Sequence, residues 1–161
     1  MIDFDKIERR ALQVLEASGI TEPVIDAVKI ANENGISVKE IEMPKSHGDV
    51  AGFLNKEEKT IYVAKNDAQT RQLFTVAHEL GHYFLSHQNY SVLLRIPNKE
   101  GLYTEKESEA NSFAAYLLMP DFLMREYMEK YHLTRENYRV MANIFGVPLS
   151  AMKTRFSYFN G

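Results

Sequence analysis

An α+β fold is expected from this sequence: a small antiparallel sheet packed against a helix that carries His78-Glu79-Leu80-Gly81-His82, with additional helices N- and C-terminal to it. Three observations point to it. Two short apolar runs, 50–54 and 60–64, flank a polar connection of hairpin length. That block lies between stretches whose apolar residues recur at helical spacing. The composition, 45% hydrophobic, 11% aromatic and 25% charged over 161 residues, is that of an ordinary globular domain. Its length suits a single domain, 1–161, with 121–161 as a C-terminal helical subregion.

The elements follow in order. Phe4, Ile7, Ala11, Val14 and Leu15 recur on one helical face, and Gly19 ends the run. Thr21-Glu22-Pro23 signals a second helix, with a cap residue and a first-turn proline, on which Val24, Val28 and Ala31 share a face. Ile36–Val38 and Glu40–Met43 alternate as a strand would, and 44–48 is a loop. The hairpin 50–64 comes next. Asn66 or Asp67 caps a long helix running to about His87. Residues 88–104 read as loop with a short extended piece, Val92-Leu93-Leu94. A helix from about Thr104 to Leu118 is closed by Pro120, and three short helical patterns finish the chain near 121–131, 134–145 and 148–158.

Several function classes are excluded at this level. With no cysteine, a disulfide scaffold, a cysteine nucleophile and a thiolate metal site all drop out. A formal net charge of −3 argues against binding a phosphate backbone with the domain as a whole. The N-terminus lacks the apolar run of a signal peptide, and no stretch approaches the ~20 apolar residues of a membrane span. A soluble, cytoplasmic protein is expected, with no membrane partner.

The chemistry concentrates in His78-Glu79-Leu80-Gly81-His82. Histidines four residues apart lie about 40° apart around a helix and about 6 Å apart along it, so both imidazoles reach one metal ion beside the helix. Neutral imidazole nitrogens suit zinc. Glu79, on the flank of that face, is placed to take a proton from water that the metal acidifies, the role of a general base. Composition alone gives about 0.015 matches to such a pattern in a chain of this kind, so chance is a poor account of it. The surrounding Thr75, Val76, Ala77, Leu80, Gly81, Tyr83 and Phe84 are uncharged, as a buried metal-bearing helix requires. Gly81, costly in a helix interior by about 1 kcal/mol, suggests close approach of another segment.

A catalytic zinc needs a third protein ligand. His87 on a continuous helix would point about 140° away from His82. His47 and His132 are distant in sequence. The next helix offers Glu105, Glu107 and Glu109, and Glu109 shares a face with Phe113 and Tyr116. All three acids also suit a helix N-terminus electrostatically, and spacing alone leaves the choice open.

The residues Phe74-Thr75-Val76-Ala77-His78-Glu79-Leu80-Gly81-His82-Tyr83-Phe84-Leu85, with Glu109-Ala110-Asn111-Ser112-Phe113-Ala114-Ala115-Tyr116-Leu117-Leu118-Met119-Pro120, resemble the ImmA/IrrE family of zinc metallopeptidases. Gly52, Thr60–Val63 and Asn66 are similar too, as are Ala142, Phe145-Gly146-Val147, Ser150 and Arg155. The likeness spans roughly residues 20–156. It implies a zincin-like fold, a zinc site of gluzincin type formed by His78, His82 and Glu109, and Glu79 as catalytic base. It also implies a phage, mobile-element or toxin–antitoxin setting and a partner repressor of the helix-turn-helix type. With few helices before the hairpin, that partner is expected to be a separate protein. The expected function is therefore zinc-dependent endopeptidase action on one dedicated protein partner. The alternative is a metal-stabilised binding module, an antitoxin or anti-repressor acting by binding without proteolysis.

Other features bear on function. Thr60–Ala64 suits a sheet edge that pairs with extended substrate, or a strand that merely covers the helix. Residues 140–152 resemble a helix-turn-helix, and 125–161 carry six basic side chains against three acidic ones. Pro148-Leu149-Ser150-Ala151 lacks the basic and amide residues a groove-reading helix needs, so DNA contact is not expected. Met119, Met124, Met128, Met141 and Met152 read as core filling, as do the aromatics between Tyr127 and Phe159. Tyr103, His87, His132 and Tyr116 are candidates for a donor to the tetrahedral intermediate.

Overall fold

A computed structural model of the chain describes residues 1–43, 51–87 and 105–161. The loop 44–48, His47, the extended piece 92–94 and Tyr103 lie outside the described residues. The elements are α1 (Phe4–Ser18), α2 (Ala27–Glu33), β1 (Ser37–Ile41), β2 (Gly52–Asn55), β3 (Thr60–Ala64), α3 (Gln69–Phe84), α4 (Glu105–Leu118), α5 (Asp121–Lys130), a 3-10 turn (Arg135–Asn137), α6 (Tyr138–Phe145) and α7 (Leu149–Phe156).

Helix α1 begins where the Asp3 side chain accepts from the Lys6 N–H at 3.0 Å, and it buries Ile7, Ala11, Val14 and Leu15. Helix α2 starts later than the Thr21-Glu22-Pro23 signal predicts. The Asp26 side chain caps it by accepting from the Lys29 N–H, and that nearer cap sets the start. The buried set shifts accordingly to Ile25, Ala27, Ile30 and Ala31, while Val24 and Val28 are exposed.

The hairpin forms as expected, with β2 antiparallel to β3. Strand β1, however, pairs parallel to β3 on its other side, so the order is β1-β3-β2 and Thr60–Ala64 is the central strand, not an edge. This is the run richest in β-branched and aromatic residues, and it buries Thr60, Ile61 and Val63. Helix α3 packs on the sheet and on α2, and α4 packs against both α3 and α1.

The C-terminal helices close the molecule around Met119, Leu123, Met124, Met141, Phe145 and Met152, all fully buried, with Met128 packed partly against them. Arg155 is buried too. Its Nε donates to the Met119 carbonyl at 2.9 Å, its guanidinium pairs with Asp121, and it lies 5.0 Å and 4.9 Å from the Tyr116 and Tyr158 ring centres. Arg135 donates to the carbonyls of Phe156 and Phe159. Two of the six basic side chains counted toward a groove-reading surface are thus spent on internal contacts. Among the described residues no helix is long and apolar enough to cross a membrane.

Candidate metal centre

One turn apart on α3, His78 and His82 bring their Nε2 atoms to 3.2 Å of each other. Oε2 of Glu107, on α4, lies 2.6 Å from His78 Nε2 and 3.0 Å from His82 Nε2. One donor atom from each of the three falls within 4.8 Å of the others. Glu107 and His82 are buried, and the His78 side chain is 15% exposed.

The expected third ligand, Glu109, is not the acid brought to this pair. Its Oε2 lies 3.3 Å from His87 Nε2 instead. The reason lies in how α4 meets α3. The two backbones approach at Gly81, where an added Cβ would stand 3.0 Å from the Cα and the carbonyl oxygen of Ala110. On a helix, residues 107, 110, 111 and 114 form one stripe about 100° wide, and residue 109 projects about 160° away from residue 107. Packing Ala110 on Gly81 therefore turns Glu107 and Asn111 toward the histidines and carries Glu109 off the line. Glu105, at the helix start, is exposed and pairs with the N-terminal amine at 3.3 Å.

The far side of each imidazole is also engaged. Asn111 Oδ1 is 2.8 Å from His78 Nδ1, and His87 Nδ1 is 2.8 Å from His82 Nδ1. With an ion taking both Nε2 atoms, each Nδ1 would carry the ring proton and donate outward.

His87 reaches this position because α3 ends at Phe84. Ser86 adopts a left-handed φ of +59°. The His87 N–H returns to the His82 carbonyl at 3.0 Å, and the Ser86 N–H to that of Tyr83 at 3.2 Å. This is the Schellman pattern, with serine where glycine is usual. The Lys56 ammonium holds the His87 carbonyl at 2.6 Å. The turn folds His87 back over His82, where a continuous helix would have carried it away.

Burial would push the Glu107 carboxyl up, but the hydrogen bonds and charge of His78 and His82 outweigh it and hold the group well below the usual carboxylate range. Burial pushes His87 down, with Glu109 offsetting part of the effect. Glu79, the expected base, is 1% exposed and follows His78 directly on α3. Thr75, Val76, Ala77, Leu80 and Gly81 around it are buried, as the uncharged sequence predicts. His132 is exposed after α5, and Tyr116 stacks near Arg155 on the other side of α4, so neither joins this cluster.

The sequence profile of the IrrE N-terminal-like domain matches residues 31–157. Metallopeptidase ImmA of Bacillus subtilis (strain 168) is 26% identical over 122 residues, covering 71% of this chain and 72% of that protein. The fold is similar to that of a Mycobacterium tuberculosis transcriptional regulator, with a TM-score of 0.71 at 20% identity over 94% of this chain and 55% of that one. The chain thus spans about half the length of that regulator. The matched stretch holds all three strands and both helices of the histidine–glutamate cluster, and the chain belongs to the ImmA/IrrE family of metallopeptidases.

Proposed function

We propose that the chain is a zinc-dependent endopeptidase of gluzincin type that cuts one dedicated protein partner, a helix-turn-helix repressor. The observation that carries this reading is the Glu107 carboxylate set between two imidazole Nε2 atoms, with a further buried acid, Glu79, on the same helix as the histidines. The donor set fits zinc: two imidazoles whose outer nitrogens are occupied elsewhere, and one carboxylate held ionised. His78, His82 and Glu107 would hold the ion. When bound, such an ion supplies Lewis acidity that polarises a peptide carbonyl and acidifies water.

Glu79 takes the proton of the attacking water at its carboxylate and returns it to the leaving amine nitrogen. Glu107 remains an anion across the neutral range and would supply the negative charge of the ligand set. The resemblance supports a regulatory partner, and the regulator name of the solved neighbour is in keeping with one. A cytoplasmic setting on a phage, mobile element or toxin–antitoxin pair belongs to the same proposal.

The test is elemental analysis followed by mixing with the repressor encoded beside the gene. About one zinc per chain, cleavage of the repressor, and loss of cleavage with a chelator are expected. Glu79→Gln should keep the zinc and lose the cut. Partner binding that survives chelation with no cleavage in any condition would replace this reading with the binding module.

A further inference from the structure

We infer that His87 and Glu109 form an outer relay that fixes which nitrogen of His82 faces the metal, making His87 a positioning residue of the centre. The inference rests on the zinc reading above and deepens it. Four contacts connect these groups. Glu107 Oε2 and His78 Nε2 lie 3.0 Å and 3.2 Å from His82 Nε2. His82 Nδ1 lies 2.8 Å from His87 Nδ1. His87 Nε2 lies 3.3 Å from Glu109 Oε2.

With a metal at His82 Nε2, only one arrangement of protons suits the contacts of the two rings. A metal at His82 Nε2 leaves the proton on His82 Nδ1. Two ring nitrogens 2.8 Å apart share a single proton, so His87 Nδ1 accepts. The ring proton of a neutral His87 is then on Nε2, where the Glu109 carboxylate accepts it. The same order read backwards explains the role of each part: Glu109 selects the His87 tautomer, and His87 selects that of His82. Outer-shell partners of this kind orient the ligand ring and raise its basicity.

The backbone is built to hold the relay. His87 is 6% exposed, its N–H is bonded to the His82 carbonyl, and its own carbonyl takes the Lys56 ammonium from the turn between β2 and β3. The ring therefore sits against His82 by main-chain contacts that do not depend on the metal.

The experiment compares zinc affinity, measured by competition with a chromophoric chelator, in wild type, His87→Asn and His87→Leu. The Asn Oδ1 replaces the Nδ1 acceptor, and Leu removes it while filling the space. Leu should weaken zinc about 10–100-fold, and Asn should restore most of that loss. Equal losses in the two variants would show that only the ring's packing matters and overturn the relay. A second measurement needs no variant: nitrogen-15 NMR of the histidines in the zinc-loaded wild type. It should show His87 protonated at Nε2 and bare at Nδ1. The reverse tautomer, or a ring protonated at both nitrogens, overturns the proposal. A wild type that takes up no zinc removes the metal reading itself and the relay with it, an outcome distinct from equal losses in a zinc-binding protein.

Discussion

An added Cβ on Gly81 would stand 3.0 Å from the Cα of Ala110, so α3 and α4 meet backbone to backbone one residue before His82. This contact sets the position of Glu107 relative to the histidines. Gly81→Ala pushes on main chain, which cannot swing aside as a side chain would. Overpacking of this kind costs about 1–3 kcal/mol, offset by up to about 1 kcal/mol of helix propensity. A net loss of about 1–2 kcal/mol is expected, with weaker zinc uptake because Glu107 is displaced. Thermal unfolding and zinc titration of the same variant check both parts; unchanged affinity would separate the helix contact from the centre.

Glu107 and Glu109 differ by half a helical turn, and their variants should differ as sharply. Glu107→Gln should abolish stoichiometric zinc, since it removes the anion of the proposed ligand set. Glu109→Gln should keep zinc within about tenfold of wild type, because it reaches the histidine–glutamate cluster through His87. Metal content after dialysis checks the pair. Retention by Glu107→Gln together with loss by Glu109→Gln would return the ligand role to residue 109.

That pair also marks where the sequence stops being informative. The α1 stripe apart from the exposed Phe4, the β2–β3 hairpin and the His78-Glu79-His82 spacing are local patterns, and each appears in the structure as read. Local spacing cannot say which of three acids on the next helix turns inward, because that rotation is set by the Gly81–Ala110 contact between helices. Gly81 itself gave the hint of a close approach but not its partner. His87 was lost for a different reason. Its placement depends on the helix ending at Phe84 with a left-handed serine, and serine at that position carries little signal. The placing of β3 at the centre of the sheet likewise depends on a parallel partner, β1, drawn from outside the hairpin.

The depressed Glu107 carboxyl makes stability depend on acid. A carboxyl held below its ordinary 4.5 contributes stability that is present above that pH and is lost as pH falls toward the folded value. In metal-free protein, unfolding free energy should therefore decline below about pH 4.5, and Glu107→Gln should flatten that decline. Denaturant titrations at several acid pH values check it. Parallel curves for the two proteins would mean that the pairing with His78 and His82 is not made without metal.

Ser86, at φ +59°, occupies a conformation that disfavours a side chain with a Cβ. Ser86→Gly should stabilise the fold by about 0.5–1 kcal/mol by relieving that cost. Ser86→Val should destabilise it by more than about 1 kcal/mol, because β-branching is poorly tolerated there. Chemical denaturation of the two variants checks the order; a reversed order would place Ser86 outside the left-handed turn that returns His87 to His82.

Arg155 tests whether the C-terminal helices present their positive charge outward. The side chain is 1% exposed, stacked between Tyr116 and Tyr158 and bonded to Met119 and Asp121. Removing one member of a buried ion pair leaves the other uncompensated, at a cost of about 3–5 kcal/mol. Asp121 keeps some exposure, so the lower end of that range is expected for Arg155→Ala, with a correspondingly large fall in Tm. Lys153 lies on the same helix but is exposed, over the ring of Tyr138 at 4.8 Å. Lys153→Ala should change stability by no more than about 0.5 kcal/mol. If Arg155 instead reached outward to a nucleic acid, the ranking would reverse: Arg155→Ala would leave Tm in place and reduce salt-sensitive binding to duplex DNA. The buried stacking predicts the first result, a helix pair locked to α4 by a cation that no partner can reach.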